Sequence, residues 1–236
     1  MSAVASTVRL HFNQRTTSFL VPLYITATVA VVSVLIALIF WRAGSEPGSE
    51  GWIAGSQANP GIIYGLAGFL VYLGVASVAT TFPFGLTLGA SRRSFVTGTL
   101  LWNVAMALYL AIVFAALLAL ELATDHWFVG FYIFDINALG AGDFGALFAI
   151  VGLGVTTALT VGGVFGASWV RFGARGPQFI GVGLAVVIAV ALILLVPQAA
   201  EIIAAFQPWW LAVTAGVVIV VSATGSWLLL RPASVR

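Results

Sequence analysis

The chain has 236 residues, 61% hydrophobic and only 7% charged, with a formal net charge of +2. Soluble domains carry roughly 25% charged residues, so a water-facing surface is excluded and lipid is the natural solvent; the small net charge gives no reason to expect nucleic acid as a partner. Cysteine is absent, which rules out disulfides, thiol nucleophiles and cysteine metal sites, and every cation is an arginine because there is no lysine.

In chain order, the first stretch is polar and carries Arg9, His11 and Arg15. Val8, Leu10 and Phe12 alternate with Arg9 and His11, so residues 6–17 read as a short segment lying in the membrane interface. The apolar run that follows exceeds a signal-peptide core of about 7–15 residues, and it is expected to be retained as the first span. A helix needs about 20 apolar residues to cross the hydrocarbon core. Six segments qualify, at 18–41, 61–88, 95–122, 144–170, 179–196 and 209–230. The fold class is therefore an all-α integral membrane protein, one transmembrane domain over residues 1–236 with no separate soluble domain.

Arginine placement sets the orientation. Arg9, Arg15, Arg92, Arg93, Arg171, Arg175, Arg231 and Arg236 fall on one side of these spans, and Arg42 alone falls on the other. The positive-inside rule places those eight in the cytoplasm, together with both termini. All seven acids lie on or near the side of Arg42. The pairs Arg15–Phe19, Arg93–Phe95 and Arg175–Phe179 lead into spans; they are expected to anchor there, arginine snorkelling to headgroups while phenylalanine enters the core. The lack of lysine and the abundance of Ala, Gly and Val point to a GC-rich bacterial genome, and hence to a bacterial plasma (inner) membrane.

Chemistry is sparse. A nucleotide-binding P-loop needs a lysine that this chain does not have. His11 and His126 are too far apart for a metal motif, and neither His-Glu-x-x-His nor Gly-x-Ser-x-Gly occurs. Ion-coupled transport leaves an ionisable residue deep in a span, and none lies near a span's middle. The chain is not expected to be an enzyme, or to hold a cofactor or metal of its own. Inside the spans, Asn103, Tyr109, Thr156 and Thr160 are candidates for a weakly polar translocation path. The alternative for them is helix–helix hydrogen bonding, worth about 0.6 kcal/mol on average in membranes. Gly61/Gly65, Gly152 with Thr156, and Gly162/Gly166 have helix-packing spacing.

The stretch 82–95 reads FPFGLTLGASRRSF. Pro83 and Gly85 bend or break the helix, yet Phe84, Leu86 and Leu88 keep it apolar where a plain linker would be polar. It is predicted to be a short helix with an apolar docking face, beside Arg92 and Arg93. The alternative is an extension of the second span lying in the interface.

With this loop, the polar amino-terminal segment and the Ser226-Trp227-Leu228-Leu229-Leu230-Arg231 ending, the chain resembles the small ABC-2 type membrane subunits of ATP-binding-cassette exporters, notably actinobacterial ones. The resemblance implies a six-span, type V exporter-like permease with cytoplasmic termini. It implies pairing with a second permease copy or paralogue, and two copies of a separate ATPase subunit that holds ATP and Mg. Residues 6–17 would be the elbow helix. Phe84, Leu86, Leu88, Arg92 and Arg93, in the loop 84–95, would form the coupling element seated on that ATPase. Residues 198–208 would be a small version of the family's outward or re-entrant helices. The cargo would be apolar or amphipathic: a lipid, drug or peptide antibiotic. A non-transporting accessory or assembly protein and a secondary transporter or channel are the competing classes.

Overall fold

In lipid the backbone has no water to bond to, so apolar runs close their hydrogen bonds within helices. The computed structural model, which describes residues 3–13 and 15–233, is helical throughout, with no strand among the described residues. Six helical stretches are long and apolar enough to cross a membrane: Thr16–Arg42, Glu50–Thr87, Arg92–Ala123, Phe144–Phe172, Arg175–Ala205 and Trp209–Leu230.

The expected interfacial segment is a helix, α1 (Ala3–Phe12), followed by a wide π-turn at Thr16–Leu20 and then α2 (Val21–Arg42). Pro22 explains the turn, since it removes the N–H that would close the preceding helical ring. The second stretch is composite. Ser49 caps α3 (Glu50–Gln57), its hydroxyl accepting from Trp52 N at 3.3 Å. Asn59 and Pro60 then break the helix, and Asn59 Oδ1 accepts from Gly61 N at the start of α4 (Gly61–Ala79). At Thr80, which keeps right-handed helical angles, the ladder is interrupted because Pro83 has no N–H to give to Ala79, and α5 (Thr81–Thr87) continues the stretch as an extension of the second span. Ser91 caps the long α6 (Arg92–Ala123), and Asp143 caps α7 (Phe144–Phe172). After α8 (Arg175–Leu195), Pro197 begins a tight turn into α9 (Ala199–Ala205), and α10 (Trp209–Leu230) follows. The region 198–208 thus holds a short helix. The sequence reading did not anticipate α3.

Helix α7 is the hub, packed on α4, α6 and α10. Its closest approach, to α4, depends on glycine. A Cβ on Gly162 would collide with the carbonyl oxygen of Val71, one on Gly74 with that of Leu159, and one on Gly166 would stand 2.6 Å from that of Val75. The Gly162/Gly166 pair therefore packs as its spacing suggests. Gly65 closely faces the Val29 side chain of α2 and Gly61 stands in ordinary contact with it, whereas a Cβ on Gly152 would meet nothing. Leu70, Leu73, Trp102, Met106, Leu110 and Leu159 fill the centre. Helices α2 and α8 are peripheral, leaving most of their apolar side chains exposed.

Candidate functional site

At the arginine-rich end, α1 lies along the first turns of α6. Thr7 meets Gly98, where any Cβ would clash, and His11 is buried against Phe95 and Trp102. His11 Nε2 lies 3.0 Å from the hydroxyl of Thr99. Burial pushes the His11 imidazole down to about 4, so it stays neutral near pH 7. The buried stripe of α1 is polar, Thr7 and His11 one turn apart, which is why its apolar residues show no helical period. Phe95 departs from its expected role as a lipid anchor: it is fully buried in protein, edge-on to Phe82 at 5.1 Å. Phe179 is exposed, as an anchor would be, while Phe19 packs edge-on against Tyr109.

Helix α5 has two faces. Phe82 and Gly85 are buried, and the half-buried Leu86 packs against the cluster to which Phe82, Phe95 and Leu230 belong. Phe84 and Leu88 point outward, 53% and 67% exposed. The five coupling candidates therefore divide. Leu86 serves the protein's own core. The guanidinium of Arg92 donates to the carbonyls of Arg231 and Ala233, at 2.8 and 2.7 Å, and so ties α6 to the end of α10. Phe84, Leu88 and the exposed Arg93 are left to form an outward apolar and basic edge.

Of the four path candidates, only two come together. Asn103 and Thr160 share a cavity of only about 20 Å³ with Thr99, Ser226 and apolar neighbours. That is room for one water molecule, which needs roughly 10–15 Å³ on this measure. The Asn103 amide oxygen has no protein partner, and the space beside it holds no more than a water molecule. Tyr109 instead donates to the carbonyl of Phe19 at 3.2 Å, and Thr156 donates back to Gly152 within α7. Thr160 likewise bonds within its own helix. Of the four, only Tyr109 bonds to another element among the described residues, and the centre of the bundle is filled by side chains.

The opposite end holds a polar knot that sequence inspection overlooked. Glu121, in the last turn of α6, is fully buried. Its Oε1 accepts from Ile133 N and Asp135 N, at 3.0 and 3.2 Å. Its Oε2 accepts from Phe134 N and the Trp127 indole, at 2.9 and 3.0 Å. Four donors meet the acceptor sites of one carboxylate. Between them, Asp125, His126, Trp127 and Phe128 run through a left-handed turn with φ from 50° to 63°. Such backbone costs roughly 1–2 kcal/mol per residue, and the bonds to Glu121 offset it. His126 Nε2 lies 3.0 Å from Asp135 Oδ2, and its ring stacks on Tyr132 at 4.0 Å. Burial, with the charges of Asp135, Asp125 and Glu121, holds the Tyr132 phenol above its ordinary value. The sequence signal was present: an acid within the last turn of an apolar span, followed by aromatic residues able to bury it. Among the described residues, no cluster of three or more His, Asp or Glu side chains is placed to hold a metal ion.

Comparison with known proteins finds no matching family model, no matching curated protein and no matching solved structure.

Proposed function

We propose that this chain is the membrane-spanning permease subunit of an ATP-binding-cassette exporter, moving an apolar or amphipathic cargo with energy from a separate cytoplasmic ATPase. In this reading the arginine-rich end is cytoplasmic and the membrane is the bacterial inner membrane. The observation that carries it is the two-faced helix α5. One side is locked into the Phe82–Phe95–Leu230 cluster, and the other presents Phe84 and Leu88 beside Arg93. A helix anchored this way passes a push on its outer face directly to α4, α6 and α10. The closed centre supports a second element of the proposal: the cargo path forms between two copies rather than within one, and the peripheral α2 and α8 leave faces for that pairing.

Recovery of an ATP-hydrolysing subunit with tagged chain from native membranes tests this. Phe84 and Leu88 would each contribute about 1.5–3 kcal/mol if buried by a partner. Leu88→Asp should therefore strip the ATPase from the complex while the chain still inserts. Arg93→Gln should weaken recovery far less, since Arg93 would pair at an exposed edge. Leu86→Asp should instead destabilise the chain itself. Wild-type recovery with Leu88→Asp and Phe84→Asp together, or no ATP-hydrolysing protein on the wild-type chain, refutes the proposal.

A further inference from the structure

Helix α2 touches the bundle along one edge only, where Val29 meets Gly61 and Gly65 of α4. Between α2 and α6 it leaves a groove of about 520 Å³, lined by Leu23, Ala30 and Val34 on one side and by Val113 and Leu117 on the other. This part is almost wholly apolar. Val34 and Ile133 also line a second space of about 690 Å³ beneath α3, so the two spaces adjoin at these side chains. From Leu23 to Phe40 the groove follows α2 for ~25 Å at 1.5 Å per residue. Each half falls in the range of roughly 300–1,000 Å³ typical of small-molecule sites.

The second space has different chemistry. Its walls carry hydroxyl and amide groups from Ser49, Ser56 and Asn59, the rings of Phe40, Trp52 and Phe131, and a single charged side chain, Glu46. Glu46 makes no ion pair among the described residues, and no arginine lines the space. The buried Trp52 ring is held in place, its indole donating to the carbonyl of Gly130 at 2.6 Å and its centroid 6.2 Å from that of the tilted Phe131 ring. Fixed aromatic rings with one carboxylate favour an ammonium over an anion. We propose that this groove binds an amphiphile with one long apolar chain and a cationic ammonium head, the chain between α2 and α6 and the head beneath α3 near Glu46. The site is independent of the exporter reading, because it needs no ATPase and no second copy.

The test uses the purified full chain in nonionic-detergent micelles, titrated with hexadecyltrimethylammonium and separately with hexadecyl sulfate. Bound amphiphile is counted by native mass spectrometry. Wild type should saturate at one hexadecyltrimethylammonium per chain and bind the sulfate about tenfold more weakly. Glu46→Gln should lower affinity about two- to fivefold, the size of one exposed charge pair. Ala30→Trp should block the apolar half. Gly55→Trp should block the head region; Gly55 has open space where a Cβ would stand, so this variant keeps the fold. Equal uptake of both amphiphiles means ordinary filling by lipid and overturns the proposal. So does saturation unchanged in both blocked variants, or absent binding together with a wild-type dimer that Ala30→Trp renders monomeric, which assigns the groove to a second copy. Each of these three outcomes leaves ATPase recovery, the test of the exporter reading, untouched.

Discussion

Replacing Glu121 by glutamine keeps its size and changes only its acceptor pattern. Each carboxylate oxygen accepts two N–H groups, from Ile133 and Asp135 on one side and from Phe134 and Trp127 on the other. An amide in either orientation keeps one oxygen and turns an NH₂ toward two donors. Two buried N–H groups are then left unpaired, at roughly 1–3 kcal/mol each, giving a loss of about 2–6 kcal/mol. Native proteins are stable by roughly 5–15 kcal/mol, so the fraction lost is large. The left-handed turn from Asp125 to Phe128 also loses the contact that offsets its backbone cost. The assay is SDS-driven unfolding from mixed micelles, followed by far-ultraviolet circular dichroism. Trp127→Phe, which removes one donor and leaves the carboxylate, should cost only about 0.5–1.5 kcal/mol. Glu121→Gln within about 0.5 kcal/mol of wild type, a margin usual for surface changes, would show that the knot does not hold this end together.

His11 is neutral in the fold, with its pKa lowered to about 4 from 6.5. The unfolded chain binds a proton that the folded chain does not between those values, so stability is full above pH 6.5 and falls by ~3 kcal/mol as pH drops to about 4; the thermal midpoint in detergent should show this drop, and His11→Gln should flatten it. Gly162→Val should cost about 1–3 kcal/mol or prevent assembly, because its side chain meets the α4 backbone, whereas Gly152→Val should leave the thermal midpoint and the monodispersity on gel filtration unchanged. Single cysteines at Ser91 and Ala174 should be shielded from an impermeant thiol reagent in intact cells and one at Ser49 labelled; labelling at the first two positions refutes the orientation drawn from the arginines.

How much of this was legible in the sequence depends on which forces act locally. The six spans and their order follow from apolar length alone, because a lipid solvent imposes helix on any such run. Short-range chemistry was partly readable: Pro83 marked the start of α5, though Gly85 lies within that helix rather than breaking it and the helix ends at Thr87, and Gly162/Gly166 marked a close crossing. Sequence spacing could not say which glycine pairs find a partner, and Gly152 finds none. Nor could it divide the apolar residues of α5 into an inward Leu86 and outward Phe84 and Leu88, since that depends on where Leu230 arrives from the far end of the chain. Asn103 looked like a path residue because an amide in lipid is costly; only the packing of α6 with α7 and α10 revealed a cavity the size of one water. Glu121 was set aside as a span-end acid, and its role emerged only with the return of residues 127–135 over it, because a buried carboxylate is defined by the donors that the fold brings to it. Hydrophobicity acts along the chain and is written in it; hydrogen-bond satisfaction acts between distant segments and is decided by how they meet.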